Sequence, residues 1–207
     1  MTFAPLRRSF FQPSAELVAP RLLGHWLIRR LPEGFCGGPI VETEAYLVGD
    51  PASHAYIGET PRNRIMFGPP GRAYVYYIYG AHFCVNVVCH RPEAVLIRAI
   101  EVEFGEDLMR ANRPFPTTIG LSNGPGKLCA ALAIGREING VDLCELSAPL
   151  FIARNPHVGR FRRQRGPMVI ATRVGLSRAA HLPLRFFLDM SAFVSRRVKS
   201  NIPPLPA

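Results

Sequence analysis

The stretch VETEAY, Val41 to Tyr46, follows GGPI and leads into LVGDPASHAY. As a strand it sets Glu42, Glu44 and Tyr46 on one face and Val41, Thr43 and Ala45 on the other. Two carboxylates and a phenol are costly to place in an apolar core, and like charges that close oppose each other's ionisation. A strand written this way must turn one face to the core and keep the other for chemistry or for buried partners.

Strand patterns continue on both sides of it. WLIRRL (Trp26 to Leu31) precedes it. RAYVYYIYG and HFCVNVVCH follow and meet at Gly80-Ala81, which predicts a hairpin. AVLIRAIEV is a further apolar strand, and PLFIA and MVIATRVG are late ones. Residues 47–71 form a long turn-rich loop. Helical patterns are few: LVAPRLLG after a capping Ser14 and interrupted by Pro20, then GEDLMRAN and GKLCAALAI. The expectation is one α+β domain over residues 1–207, built on a curved, mostly antiparallel sheet with a protruding hairpin. Its first dozen residues and its Pro-rich tail, 201–207, are expected to be loosely ordered.

The chain has 207 residues, enough for one substantial core. Hydrophobic residues make up 48% and charged residues 19%, the balance of a folded globular protein. A formal net charge of +10 favours a polyanionic partner. The basic residues are nearly all arginine, with lysine only at Lys127 and Lys199. Arginine suits bidentate phosphate contacts, although a GC-rich genome produces the same bias. Five scattered cysteines without CxxC spacing read as reduced thiols in a cytoplasmic protein. MTFAPLRRSFFQPS lacks an apolar stretch long enough for a signal peptide and no uncharged apolar run reaches membrane-spanning length, so neither a leader nor a span is expected.

All six tyrosines fall between positions 46 and 79. Strand propensity explains part of this. Aromatic faces beside arginines are also what a nucleobase pocket needs, because stacking contributes about 1–3 kcal/mol per base. Tyr79 stands at the expected hairpin tip, where it either folds back or wedges between base pairs. Arg98 sits inside VLIRAI, so its guanidinium needs a buried carboxylate. Spacing alone favours Glu101 or Glu103; the paired glutamates Glu42 and Glu44 are the other supply. His82, Cys84, Cys89 and His90 do not converge in a zinc spacing, and no metal site is expected. SNGPGK (Ser122 to Lys127) lacks the glycine and the hydroxyl of a complete phosphate-binding loop and reads as a helix start. Arg160, Arg162, Arg163 and Arg165 read as a solvated loop with a role on a nucleic-acid backbone.

Nine segments, taken together, resemble the alkyladenine (3-methyladenine) DNA glycosylase family: IVETEAY, ASHA, TPRN, MFGPPG, YVYYIYG, FCVNVV, LIRAIE, GPGKLCAALAI and RVG. They run in family order from about Leu22 to Phe187. The resemblance implies an enzyme of base-excision repair. Such enzymes flip an alkylated or deaminated purine (3-methyladenine, 7-methylguanine, hypoxanthine, ethenoadenine) from duplex DNA and hydrolyse its N-glycosidic bond. It implies Glu44 as the general base, Arg98 as the residue that holds water and base in place, and Glu42 as a structural residue or a modifier of Glu44's ionisation. It implies Tyr46 on one face of the flipped base and His54 and Tyr76 on the other. Asn86 would exclude guanine, Tyr79 would intercalate, and Val174 would offer a carbonyl near the water. Lys127 and Arg163 are carried over as backbone contacts.

A base alkylated on a ring nitrogen is a cation and leaves without much help, so one carboxylate suffices where sugar hydrolases commonly use two. The implied enzyme is a monomer without metal or cofactor, is not membrane-bound, and leaves intact abasic sites. The charge, the tyrosines and the hairpin serve a non-catalytic or RNA-directed binding module equally well. Glu44 beside Arg98 argues for chemistry, because a buried carboxylate weakens binding to a polyanion. A metal-dependent nuclease is disfavoured by the poor ligand geometry.

Overall fold

A computed structural model describes residues 2–78 and 80–197. The organising element is β2 (Gly34–Tyr46), a strand of 13 residues that changes partners halfway. Its first half pairs with β1 (Trp26–Leu31), which in turn pairs with β6 (Leu150–Ala153). Its second half pairs with β5 (Ala94–Ile100) on one side and β8 (Arg185–Leu188) on the other. The predicted hairpin is β3 (Ala73–Ile78) and β4 (His82–Val88), and β4 joins β5. β7 (Met168–Ala171) closes the far side against β8. Every pairing is antiparallel, in the order β3-β4-β5-β2-β1-β6 with β8 and β7 branching from β2.

The GG of GGPI marks the point of exchange. A Cβ on Gly38 would stand 1.9 Å from the Glu101 carbonyl oxygen, and one on Gly37 would stand 2.1 Å from that of Leu27. Only glycine lets three backbones approach so closely. Register shifts follow at Ile40/Glu42 and Glu42/Thr43. Such bulges bend a strand and re-aim its side chains, here at the two glutamates.

Alternation along the strands then sorts the sheet's faces. Ala45, Val75, Val85, Val87, Val95 and Ile97 enter the main core. That core is completed by α1 (Ala15–Leu22), α2 (Glu106–Asn112), α3 (Thr118–Ser122) and α4 (Pro125–Ala131). Residues one step out of phase turn the other way. Expectation and structure part at several points. Ser14 makes no side-chain cap on α1; Glu93 does this from β5's side, its Oε2 accepting from Ala15 N–H at 2.7 Å. The Arg-rich run is helical, as α5 (Val158–Gln164), and not a loop. Residues 2–12 are tied down rather than loose. Phe3 packs edge-on with Trp26, Phe35 and Phe151, Pro5 bridges to Ala153, and Phe11 is fully buried. The tail 201–207 lies outside the described residues. β8 and α3 have no counterpart in the sequence reading. Among the described residues, no helix is long and apolar enough to cross a membrane.

Candidate active site

A cavity of about 320 Å³ opens over the polar face of the sheet. Its floor is the out-of-phase set of each strand: Glu44 and Tyr46 from β2, Leu96 and Arg98 from β5, Cys84 and Asn86 from β4, Tyr74 and Tyr76 from β3. Register places Tyr74, Asn86, Leu96, Glu44 and Arg185 in one row across five strands. The remaining wall comes from Ser53 and His54 of the long loop, Pro125 and Gly126 opening α4, and Val174 after β7.

Both glutamates are completely buried, and they differ in their partners. Glu42 Oε1 accepts from Arg98 Nε at 2.9 Å, Arg185 Nη1 at 2.9 Å and the Ser195 hydroxyl at 3.0 Å, while its Oε2 accepts from Ser195 N–H at 2.7 Å. It does not line the cavity. Glu44 does. Its Oε1 accepts from Val174 N–H at 2.8 Å and lies 3.2 Å from Arg98 Nη1; its Oε2 accepts from the Tyr46 hydroxyl at 3.0 Å. A carboxylate oxygen offers two acceptor positions, so Glu44 Oε2 keeps one that no described residue fills.

Arg98 therefore bridges the two glutamates and not the nearer acids, contrary to what spacing alone favours. Glu101 pairs with Arg165 at 2.7 Å, and Glu103 accepts from Trp26 Nε1 at 3.0 Å. Burial lowers the Arg98 pKa, but Glu44 and then Glu42 outweigh it and leave it raised. With Arg185 the set holds two cations and two carboxylates, which lets four charges sit out of water. Burial and the neighbouring Glu44 carboxylate push the Tyr46 phenol well above its ordinary value, so Tyr46 donates its proton and does not lose it.

The opposite wall is aromatic. His54 Nδ1 lies 2.8 Å from the Tyr74 hydroxyl, and its ring meets Tyr76 edge-on at 4.4 Å between centroids. Burial, with Arg62 adding, lowers the His54 pKa, so the ring is neutral at pH 7. Burial raises the Tyr74 phenol to about 12. Asn86 Nδ2 donates to the Tyr74 carbonyl at 3.0 Å, which fixes the amide across the floor.

The cavity thus brings together Glu44, Arg98, Tyr46, His54, Tyr76 and Asn86. Lys127 is exposed one residue beyond the wall, its Nζ 2.9 Å from Asn123 Oδ1. Arg163 is exposed on α5 and lines a different groove. In the same run Arg162 donates to the Leu23 and Arg21 carbonyls and Arg165 pairs with Glu101, so those two hold the fold together. Tyr79 lies outside the described residues. Val174 meets Glu44 through its N–H, whereas the sequence reading used its carbonyl. Arg185, Arg173, Asp50 and Ser195, which stand at or behind the site, are not among the residues expected from the sequence. The signal for the two arginines was available: LPLRFFL and VIATRVG set an arginine among apolar residues just as VLIRAI does.

The family model described as "Methylpurine-DNA glycosylase (MPG)" matches residues 9–192. Proteins named "Putative 3-methyladenine DNA glycosylase" resemble the chain over nearly its whole length. One from Methanoculleus marisnigri is 48% identical over 93% of this chain and 99% of its own. Another, from Agrobacterium fabrum, is 46% identical over 97% of each. A third, from Carboxydothermus hydrogenoformans, is 42% identical over 93% of this chain and 99% of its own.

Proposed function

The chain belongs to the methylpurine-DNA glycosylase family, whose members are DNA N-glycosylases, and from that premise we propose the reaction it performs and the residues that perform it. An alkylated purine, 3-methyladenine or 7-methylguanine, is flipped from the duplex into the cavity. Tyr46 stacks on one face and His54 and Tyr76 cover the other. Asn86 crowds the exocyclic 2-amino group of guanine. Tyr79 fills the vacated stack, and Lys127 and Arg163 contact the phosphate backbone.

Glu44 takes a proton from water as the water oxygen bonds to C1′. The C1′–N bond breaks, and its electron pair leaves with the base. A base that carries a positive charge departs neutral, so no acid is needed for it. Arg98 and the Val174 N–H orient the carboxylate through Oε1 and leave Oε2 to face the water. Hypoxanthine and ethenoadenine are neutral, so the electron pair they take with them must be met by a proton that a cationic base does not need, and they leave more slowly.

The observation that carries this reading is the contrast between the two glutamates. Glu42 holds four donors and does not line the cavity; Glu44 lines it and keeps an acceptor position on Oε2. A general base needs that position. Strand nicking through a Schiff base needs an amine; besides the terminus only Lys127 and Lys199 offer one, and Lys127 sits at the start of α4 without lining the cavity. The enzyme is therefore read as monofunctional.

The test is alkylated duplex DNA incubated with the protein and a chelator. Free 3-methyladenine and unbroken abasic sites are expected. Binding without base release would favour the non-catalytic module. A borohydride-trapped protein–DNA adduct would refute the monofunctional reading.

A further inference from the structure

Arg173 is a second buried cation that the reaction above does not use. Its side chain is completely buried, and Asp50, its partner, is nearly so. Both Nη atoms bond the Asp50 carboxylate, Nη2 at 3.0 Å to Oδ1. Nη1 also donates to the Ala45 carbonyl at 3.0 Å, between Glu44 and Tyr46 in the chain. The guanidinium carbon stands 4.7 Å from the centroid of the Tyr46 ring. Tyr46 lines the cavity and Arg173 does not, so the cation meets the ring from behind the wall.

A guanidinium against a phenol ring draws on the same π density that would attract a second cation on that ring. The purines in question differ in this property: 3-methyladenine and 7-methylguanine in DNA are cations, and ethenoadenine and hypoxanthine are neutral. Asp50 offsets most of the Arg173 charge at a distance, but the cation is the member that touches the ring. We propose that the Arg173–Asp50 pair, acting through the Tyr46 ring, sets how strongly the cavity favours cationic over neutral purines. This rests on Tyr46 being the stacking surface. Arg173 is then a positioning and specificity residue, while the pair's hydrogen bonds also tie β2 to the loop that carries His54.

Scaffolding and charge make different predictions. A scaffold that loosens weakens every base alike. Charge shifts the balance between bases, and it does so in opposite directions for the two partners.

The experiment measures dissociation constants of the full chain for two duplexes at fixed ionic strength. Both carry a 2′-fluoro sugar that blocks hydrolysis, one with 7-methylguanine and one with ethenoadenine. Asp50→Asn leaves the guanidinium uncompensated behind the ring and should move the affinity ratio about threefold toward ethenoadenine. Arg173→Gln should move it by a similar factor toward 7-methylguanine. If Arg173→Gln does not fold, Asp50→Asn compared with the neutral double variant isolates the same charge, and their ratios should differ in that direction. Equal changes in both affinities across these variants would overturn the inference. Tyr46→Leu separates this from the underlying reading. If it leaves both affinities unchanged, the stacking role itself is wrong. If it weakens both while the ratio stays flat across the pair variants, only the role of Arg173–Asp50 fails.

Discussion

Glutamine at position 42 should unsettle the fold and spare the chemistry. Glu42→Gln keeps the side chain's shape and removes one charge from a buried set of two arginines and two carboxylates. Four donors converge on that carboxylate. An amide nitrogen placed at either oxygen position faces a donor, so at least one of these bonds becomes a repulsion. The larger cost is the charge left over between Arg98 and Arg185, both nearly inaccessible to water. Breaking a buried pair by removing one partner costs about 3–5 kcal/mol. For a domain of this size each kcal/mol is roughly 2–4 °C in Tm, so a fall of about 10 °C is expected. Calorimetry at pH 7 reads it directly. Single-turnover excision at a temperature where the variant is folded should stay within about tenfold of wild type, since Glu44 keeps Val174, Tyr46 and Arg98. An unchanged Tm, or a rate loss of the general-base order in a fully folded variant, would refute the division of labour between the two glutamates.

Two further outcomes follow from the same geometry. Burial, with Arg162, Arg154 and Arg21 adding, lowers the His25 pKa to about 4 from an ordinary 6.5, and its Nδ1 accepts from Asn155 N–H. The unfolded chain therefore binds the extra proton first. This stability is fully present above pH 6.5 and is lost as pH falls toward 4, by about 3 kcal/mol in all. Urea melts of wild type and His25→Gln at pH 7 and pH 4.5 should converge toward acid pH; parallel curves would contradict it. Asn86→Ala should raise release of undamaged guanine relative to 7-methylguanine, scored by chromatography of the freed bases, and unchanged selectivity would remove its assigned role.

How much was legible in the sequence follows from what each residue must satisfy nearby. β1 reads directly, because WLIRRL is bounded by turn residues and is rich in strand formers. The hairpin reads from its alternation and its Gly80 tip. Alternation alone sets Glu42, Glu44 and Tyr46 on one face of a strand, whereas the choice of Glu44 and Asn86 as site residues rests on the family resemblance, and the register that brings Glu44, Asn86 and Tyr74 into one row belongs to the folded sheet. α5 did not read: none of its residues is buried, so VGRFRRQ carries no apolar stripe. The ion-pair partners did not read because nothing local selects them. Arg185 reaches Glu42 across 143 positions and Arg173 reaches Asp50 across 123, while Arg98 has glutamates three and five residues away that it does not use. Which carboxylate a buried arginine meets is decided by the bulge in β2 and the return of β8, and both are properties of the folded sheet.

The central claim is that Glu44 is the base. Glu44→Gln retains the hydrogen-bonding shape and cannot take the proton from water. Single-turnover excision of 7-methylguanine by Glu44→Gln and by Glu42→Gln, at matched DNA occupancy, tests it most directly. The account predicts a loss of about 10² or more for Glu44→Gln, with DNA affinity held or raised because a negative charge is removed. A Glu44→Gln enzyme near the wild-type rate beside an inactive Glu42→Gln would contradict it, and would move the base one strand step toward the amino terminus.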